Sequence, residues 1–232
     1  MNSKTASLDH IQNWIFDLDN TLYRADVAFF SQIDRKMTTF ISQYLGLQPD
    51  EARKVQKDYL VDYGTSLSGL MAVHNMDPAE FLDFVHDVDL SMLKPDPKLR
   101  TLIQALPGRK FIFTNGSKKH AENVAGHLNL FDLFDGSFGI EDGNYIPKPK
   151  ASPYIKFCES FDIDPHKAIF FEDGLRNLKI PKDIGMVTVL VTSEADWSHE
   201  PELTRPAGNT TGAAYVDFMT NNLTLWLSLI HI

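Results

Sequence analysis

The chain of 232 residues is long enough for one large domain, or for a core domain carrying a smaller insert. At 43% hydrophobic and 23% charged residues its composition is that of an ordinary globular protein, and a formal net charge of -9 argues against broad attraction to a nucleic-acid polymer or an anionic membrane. A single cysteine, Cys158, excludes an intrachain disulfide and any multi-cysteine metal site.

In chain order, MNSKTASLDHIQ (1–12) has no apolar signal-peptide core, so a cytoplasmic location is expected. WIFDL (14–18) reads as the first strand. Its apolar head ends in Asp17 and Asp19, acids that need neutralising there because an unpaired carboxylate is costly to desolvate. The next convincing strand is KFIFTN (110–115), and the gap between the two reads as helices. Phe29, Ile33, Met37, Phe40, Ile41 and Tyr44 recur at three-and-four spacing until Gly46. A second helix opens at Pro49-Asp50-Glu51 and runs to Tyr63, with acids in its first turn. A third covers 65–74, and a fourth runs from Pro78 towards Asp89 with Asp77 as N-cap. KPDP (94–97) is a stiff exit.

Beyond the second strand, DLFDGSF (132–138) reads as sheet cover, and EDG at 141–143 as a turn. AIFFED (168–173), MVTVLVT (186–192) and AAYVDF (213–218) are further candidate strands, with a long surface loop over 193–212. The final LTLWLSLIHI (223–232) fits helical spacing and alternation equally and is taken as a packed terminal helix; a membrane span would need roughly 20 residues. Apolar runs alternating with helices predict an α/β fold, a doubly wound, Rossmann-like parallel sheet buried on both faces. The chain then divides into a core, 1–21 and 96–232, and an all-α helical-bundle cap, 22–95, inserted after strand one over the sheet's carboxyl edge.

In open α/β sheets ligands bind beyond the carboxyl ends of the strands. The first strand delivers Asp17 and Asp19 there, the second Thr114, Asn115, Gly116 and Ser117, and AIFF delivers Glu172, Asp173 and Gly174, with Asn177 close behind. Such an oxygen-rich set suits Mg2+, a hard cation that keeps positions open for water and phosphate. Taken singly, a DxD is an ordinary solvated turn and FTNGS an ordinary capped helix start. The order DxD, Thr-ended strand, Lys, acid-ended strand is what carries information. Lys94 precedes the Thr114 strand, whereas Lys148 follows it and is stiffened by Pro147 and Pro149, so Lys148 is preferred over Lys94 and Lys150. The eight histidines form no metal-binding spacing, and His120 and His127 read as surface residues on one helix face.

This assembly resembles the haloacid dehalogenase superfamily, whose four motifs are matched by FDLDNT, FTNG, KP and EDGLRN across nearly the whole chain. The insert is similar to the superfamily's helical cap, and the second aspartate looks like its phosphatase branch. The fourth motif departs from the usual Gly-Asp or Asp-Asp: Glu172 stands first and Asn177 trails as supporting groups, leaving Asp173 as the direct metal ligand. The resemblance implies Asp17 as nucleophile and Asp19 as general acid and base. It also implies Mg2+ held by Asp17, the Asp19 carbonyl and Asp173. Thr114, Lys148 and the amides near Asn115 and Gly116 would hold the phosphoryl oxygens.

Beyond the superfamily, WIFDLDNTLY, YGTSLSGLM (63–71), LPGRKFIFTNG (106–116) and FFEDGLRNL (170–178) are similar to pyrimidine 5′-nucleotidases. That similarity implies a nucleoside monophosphate such as UMP or CMP, with sugar phosphates and pyridoxal phosphate as alternatives, and a catalytically idle Mg2+- and phosphate-binding protein as a rival from another class. Two readings of Tyr63 stand: it stacks on a flat base, or it belongs to a helix that Gly64 stops. Arg176 either reaches the site or is solvated. A homodimer through the cap is left open.

Overall fold

The computed structural model describes residues 8–27, 29–208 and 213–230. The leader expectation therefore falls partly on 1–7, and the surface-loop and terminal-helix expectations partly on 209–212 and 231–232, outside the described residues.

Strand β1, Asn13–Phe16, is buried at every position. Helices α1, Phe30–Leu45, α2, Pro49–Tyr63, α3, Ser66–His74, and α4, Pro78–Val85, follow it, and α5, Pro97–Ala105, leads back to β2, Arg109–Phe113. Then come α6, Lys118–His127, β3, Gly136–Phe138, α7, Ala151–Phe161, and β4, Ala168–Glu172. The chain closes with α8, Lys179–Asp183, β5, Val187–Val191, β6, Phe218–Thr220, and α9, Leu223–Ile230.

All pairings are parallel and the strand order is β3-β2-β1-β4-β5-β6. Strand alternation explains why both faces are covered. Trp14, Phe16, Ile112, Ile169 and Phe171 pack into one apolar cluster, while Ile15, Phe111, Phe113 and Phe170 pack into the other with Tyr154 and Phe157 of α7. The chain builds outward from β1 on one side, then returns to place β4 on the other. The direction of winding thus reverses between β1 and β4, where open sheets form a crevice.

The helical stretch folds as its sequence directs. Gly46 ends α1 in the left-handed conformation, φ 67°, and Asp77 and Asp96 cap α4 and α5 through their carboxylates. Gly69 lets α3 approach α2 closely, since a Cβ there would stand 2.3 Å from the Tyr59 ring. The layer is welded by Phe29, Ile33, Phe40, Leu67, Leu70, Phe81 and Val85, all buried.

Three expectations are corrected. DLFDGSF contains β3 rather than mere cover; a three-residue edge strand opening on glycine lacks the β-branched run that marks a strand. AAYVDF ends where β6 begins, because Asp217 turns back to accept hydrogen bonds from Thr188 N–H at 3.0 Å and Thr188 Oγ1 at 3.1 Å. Helix α4 stops at Val85, short of Asp89. The terminal apolar stretch is helical through Ile230, and no helix among the described residues is long and apolar enough to cross a membrane.

Candidate active site at the β1–β4 crevice

Register brings the acids together. Phe16 pairs with Ile112 on one side and Phe171 on the other, so Asp17, Thr114 and the pair Glu172-Asp173 emerge at one edge. Lys148 enters from the loop before α7 and is 1% exposed. Its Nζ donates to Asp17 Oδ1 at 2.7 Å, Glu172 Oε2 at 2.6 Å and the Phe113 carbonyl at 2.9 Å, which satisfies its three protons. Asn115 braces this loop from both sides, donating to the Lys148 carbonyl at 3.2 Å and accepting from its N–H at 2.8 Å. Burial works to lower the lysine's pKa, and Asp17 and Glu172 outweigh it, holding the ammonium above its ordinary value.

One cation does not balance this crowd. Burial and then the Glu172 charge push Asp17 up to about 7, despite Lys148. Asp173 is driven well above the usual carboxylate range by burial, Glu172 and Asp17, although Asn20 Nδ2 donates to it at 3.2 Å. Oxygens of Asp17, Glu172 and Asp173 all lie within 4.8 Å of one another. Glu172 is already engaged, its other oxygen accepting from Gly174 N–H at 3.0 Å. Among the described residues, the buried side-chain oxygens of Asn20 and Asn177 at the same cavity have no hydrogen-bond partner. Crowded acids with too few cations and orphaned oxygens fit a hard divalent cation. Replacing the one buried cation shows how much rests on it: Lys148→Met is expected to destabilise the fold by about 3–5 kcal/mol in urea titration, because it strands two buried acids.

Asp19 lies beside this group under different control. Burial disfavours its ionised form, but the His120 ring and the Tyr23 hydroxyl outweigh that and hold its pKa below the ordinary value. His120 is 1% exposed, which overturns its reading as a surface residue. It shares a buried face with Val124 and Leu128, four residues apart at each step, and that periodicity was the available signal. His127 lies on the exposed side, as expected, and meets the Leu93 carbonyl at 3.1 Å. His86, at the end of α4, stacks on His120 with ring centroids 4.2 Å apart and bonds Ser117 Oγ at 3.0 Å. Burial and then His120 hold His86 down to about 3, so it is neutral at physiological pH.

A cavity of about 220 Å³ stands over these groups, between the sheet edge and the helical layer. Its far walls are Phe30, Ile33, Met37, Leu60, Phe81 and Leu82, with Asp34, Gln56 and Lys57 as polar points. A third wall was not legible as such: the 193–212 loop contributes Trp197, Glu200, Thr204 and Pro206. Glu200 accepts from Lys57 Nζ at 2.7 and 2.8 Å, and Lys57 also reaches Asp34 at 2.6 Å, so the loop is strapped to α1 and α2.

Most of the expected site residues meet here: Asp17, Asp19, Thr114, Asn115, Gly116, Lys148, Glu172, Asp173, Arg176 and Asn177 all line the cavity. Tyr63 does not. It is 37% exposed, sets its ring edge-on to Tyr59, and the chain turns at Gly64, φ 93°, so that Gly64, Thr65, Ser66 and Leu67 line the cavity instead. Gly116 N–H is also spent, donating to Thr114 Oγ1 at 2.9 Å, and is not free for a ligand in this arrangement. Arg176 donates to the Gly64 carbonyl at 3.1 Å and so joins the sheet edge to the helical layer. The EDG at 141–143 is structural: Asp142 accepts from Gly139 N–H at 3.0 Å and Glu141 from Lys118 N–H at 3.2 Å.

Comparisons with known proteins bear on the fold and the family. Phosphate metabolism protein 8 of Saccharomyces cerevisiae is 31% identical over 207 residues, which are 82% of this chain and 64% of the yeast protein; the chain thus spans under two thirds of that relative. Among solved structures, a HAD phosphatase from Thermococcus onnurineus superposes with a TM-score of 0.61 at 18% identity, over 95% of this chain and 98% of that one. An L-2-haloacid dehalogenase from Xanthobacter autotrophicus does so with a TM-score of 0.57 at 17% identity, over 95% and 98%. At such identities the structures speak for the fold alone. A family model for haloacid dehalogenase-like hydrolase matches residues 11–185, and the chain belongs to that family.

Proposed function

We propose that the protein is a Mg2+-dependent phosphate monoester hydrolase that works through an aspartyl-phosphate, with pyrimidine nucleoside monophosphates as its substrates. The observation that carries the reading is the buried Lys148 joined to Asp17 and Glu172, with Asp173 alongside, on the floor of a cavity into which Asp19 also opens. The yeast relative's name, and the phosphatase among the similar folds, agree with phosphate chemistry.

In this reading Asp17 attacks phosphorus while Lys148 holds its other oxygen in place. Asp19 gives a proton to the departing ester oxygen, then takes one from the water that cleaves the intermediate. The Thr114 hydroxyl and Lys148 bind phosphoryl oxygens, and the helical layer, which we read as a cap over residues 22–95, excludes bulk water. Asp17, Asp173 and the Asp19 carbonyl would hold Mg2+, which when bound supplies positive charge to the phosphoryl oxygens. The small cavity, about 220 Å³, favours a compact ester over a bulky one. With Tyr63 turned away, the aromatic rings on the cavity wall that could meet a base are Trp197, Phe30 and Phe81.

The test is phosphate release with Mg2+ and with EDTA across UMP, CMP, dUMP, AMP, GMP, sugar phosphates and pyridoxal phosphate. Mg2+-dependent release that favours the pyrimidine nucleotides is the expected result. Release from other esters would keep the chemistry and replace the substrate. No release from any of them would overturn the enzyme reading in favour of an idle Mg2+- and phosphate-binding protein.

A further inference from the structure

The two carboxylate oxygens of Asp19 are not equivalent. The Tyr23 hydroxyl donates to Oδ1 at 2.7 Å, and His120 Nε2 meets the same oxygen at 3.0 Å. Among the described residues no hydrogen bond to Oδ2 is found. The two partners are themselves fixed. Tyr23 follows Asp19 by four residues through a turn, is buried, and sets its ring edge-on to Phe29. His120 stands in the first turn of α6, its N–H accepted by the Ser117 cap at 3.1 Å. Its ring is aligned with those of Phe29 and His86, at interplanar angles of 5° and 14°.

Because a carboxylate acceptor needs an N–H, this geometry selects the His120 tautomer with its proton on Nε2. A carboxylic acid that accepts two hydrogen bonds on one oxygen carries its own proton on the other. We propose that Tyr23 and His120 are positioning residues that pin Asp19 Oδ1 and assign proton transfer to Oδ2. The inference rests on the reading of Asp19 as the acid and base of phosphate ester hydrolysis.

The assigned step balances as follows. Oδ2 first takes the proton that a monoanionic phosphate ester carries in; an Asp17 oxygen then bonds to phosphorus, the ester P–O bond breaks, and its electron pair leaves on the ester oxygen, which takes that proton from Asp19 Oδ2. In the second half, Oδ2 takes a proton from water, the water oxygen bonds to phosphorus, and the electron pair of the broken P–O bond returns to Asp17. Tyr23 and His120 lose no proton in either half; they hold Oδ2 in line with the reacting oxygen. Burial and the Asp19 charge push the Tyr23 hydroxyl well above its ordinary value, which suits a donor that stays protonated.

Leaving-group dependence separates this role from structural support. An ester whose leaving group needs no proton, p-nitrophenyl phosphate, bypasses Oδ2 in the first half-reaction, whereas glycerol phosphate does not. Tyr23→Phe keeps the ring and removes one donor; His120→Leu removes the other; His120→Gln restores an N–H near the Nε2 position. The expected result is kcat/KM on glycerol phosphate down about 10- to 100-fold in Tyr23→Phe and His120→Leu, with kcat/KM on p-nitrophenyl phosphate changed about threefold or less, because this ratio reads only the half-reaction in which the leaving group departs, while hydrolysis of the aspartyl-phosphate is common to both esters. His120→Gln should recover most of the loss. Asp19→Asn sets the limit, with the same selectivity and a larger drop. Equal losses of kcat/KM on both esters, in folded Tyr23→Phe and His120→Leu proteins, would overturn the inference and leave the phosphatase reading standing. If the wild-type protein hydrolyses neither ester nor any nucleotide, the phosphatase reading falls, and the inference with it.

Discussion

Asp17→Asn should lower phosphate release by about 10⁴-fold or more while the fold survives, because the amide removes the nucleophile and leaves the rest of the site in place. The expectation of an intact fold has a structural basis. Lys148 keeps Glu172 at 2.6 Å and the Phe113 carbonyl at 2.9 Å when the Asp17 charge is gone. The amide also relieves repulsion from Glu172, which with burial raises the Asp17 pKa to about 7. Circular dichroism and a melting curve in EDTA check the fold; their expected outcome at pH 7 is a Tm equal to or above wild type. Near-full activity in the folded variant would sink the covalent mechanism.

The second large effect is that of the metal. With Mg2+ at a hundred times its Kd, the folded state should gain about 2.7 kcal/mol, or roughly 5–10 °C in Tm, and activity should vanish in EDTA. Asp173→Asn should abolish both the thermal gain and the activity, since it removes one of the three clustered acids. A sign follows for pH. Asp17 has its pKa raised from 3.8 to about 7 in the folded protein, and Asp173 is raised as well. In EDTA their contribution is therefore fully present below pH 4 and is lost as pH rises through about 7. Mg2+ should flatten that decline by favouring the ionised acids. A Tm that is indifferent to Mg2+ across this range, in a protein that still turns over, would assign the acids to something other than metal.

Much of this was legible because acids in the wrong place are conspicuous. Asp17 and Asp19 end an apolar run, and nothing about a buried strand accounts for them. Lys148 could be singled out from its neighbours by chain order and its flanking prolines, and the structure gives it both acids. The parallel sheet was readable because both faces of its strands are apolar. What escaped notice depends on contacts across long separations. His120 meets Asp19 across 101 residues, and a histidine among lysines and a glutamate looks solvated until Val124 and Leu128 are seen on its face. Glu200 meets Lys57 across 143 residues, and only Trp197 hinted that the polar loop had an apolar surface to visit. Of the two readings of Tyr63, the left-handed Gly64 that ends its helix fits the second.

The helices from Phe30 to Val85 leave the sheet after β1 and rejoin it before β2, so the segment behaves as a cassette. It could be exchanged for another without moving Asp17, Thr114, Lys148 or Asp173, which all belong to the sheet side, and in this way selectivity could change while chemistry is inherited. His86 is the exception. It rides on the cassette, yet it stacks on the ring that holds Asp19. A chimaera carrying a foreign cassette would keep Tyr23 and His120 on Asp19 but lose the His86 ring that backs His120 and bonds Ser117. Of all the cassette's residues, His86 is the one a graft has to bring along.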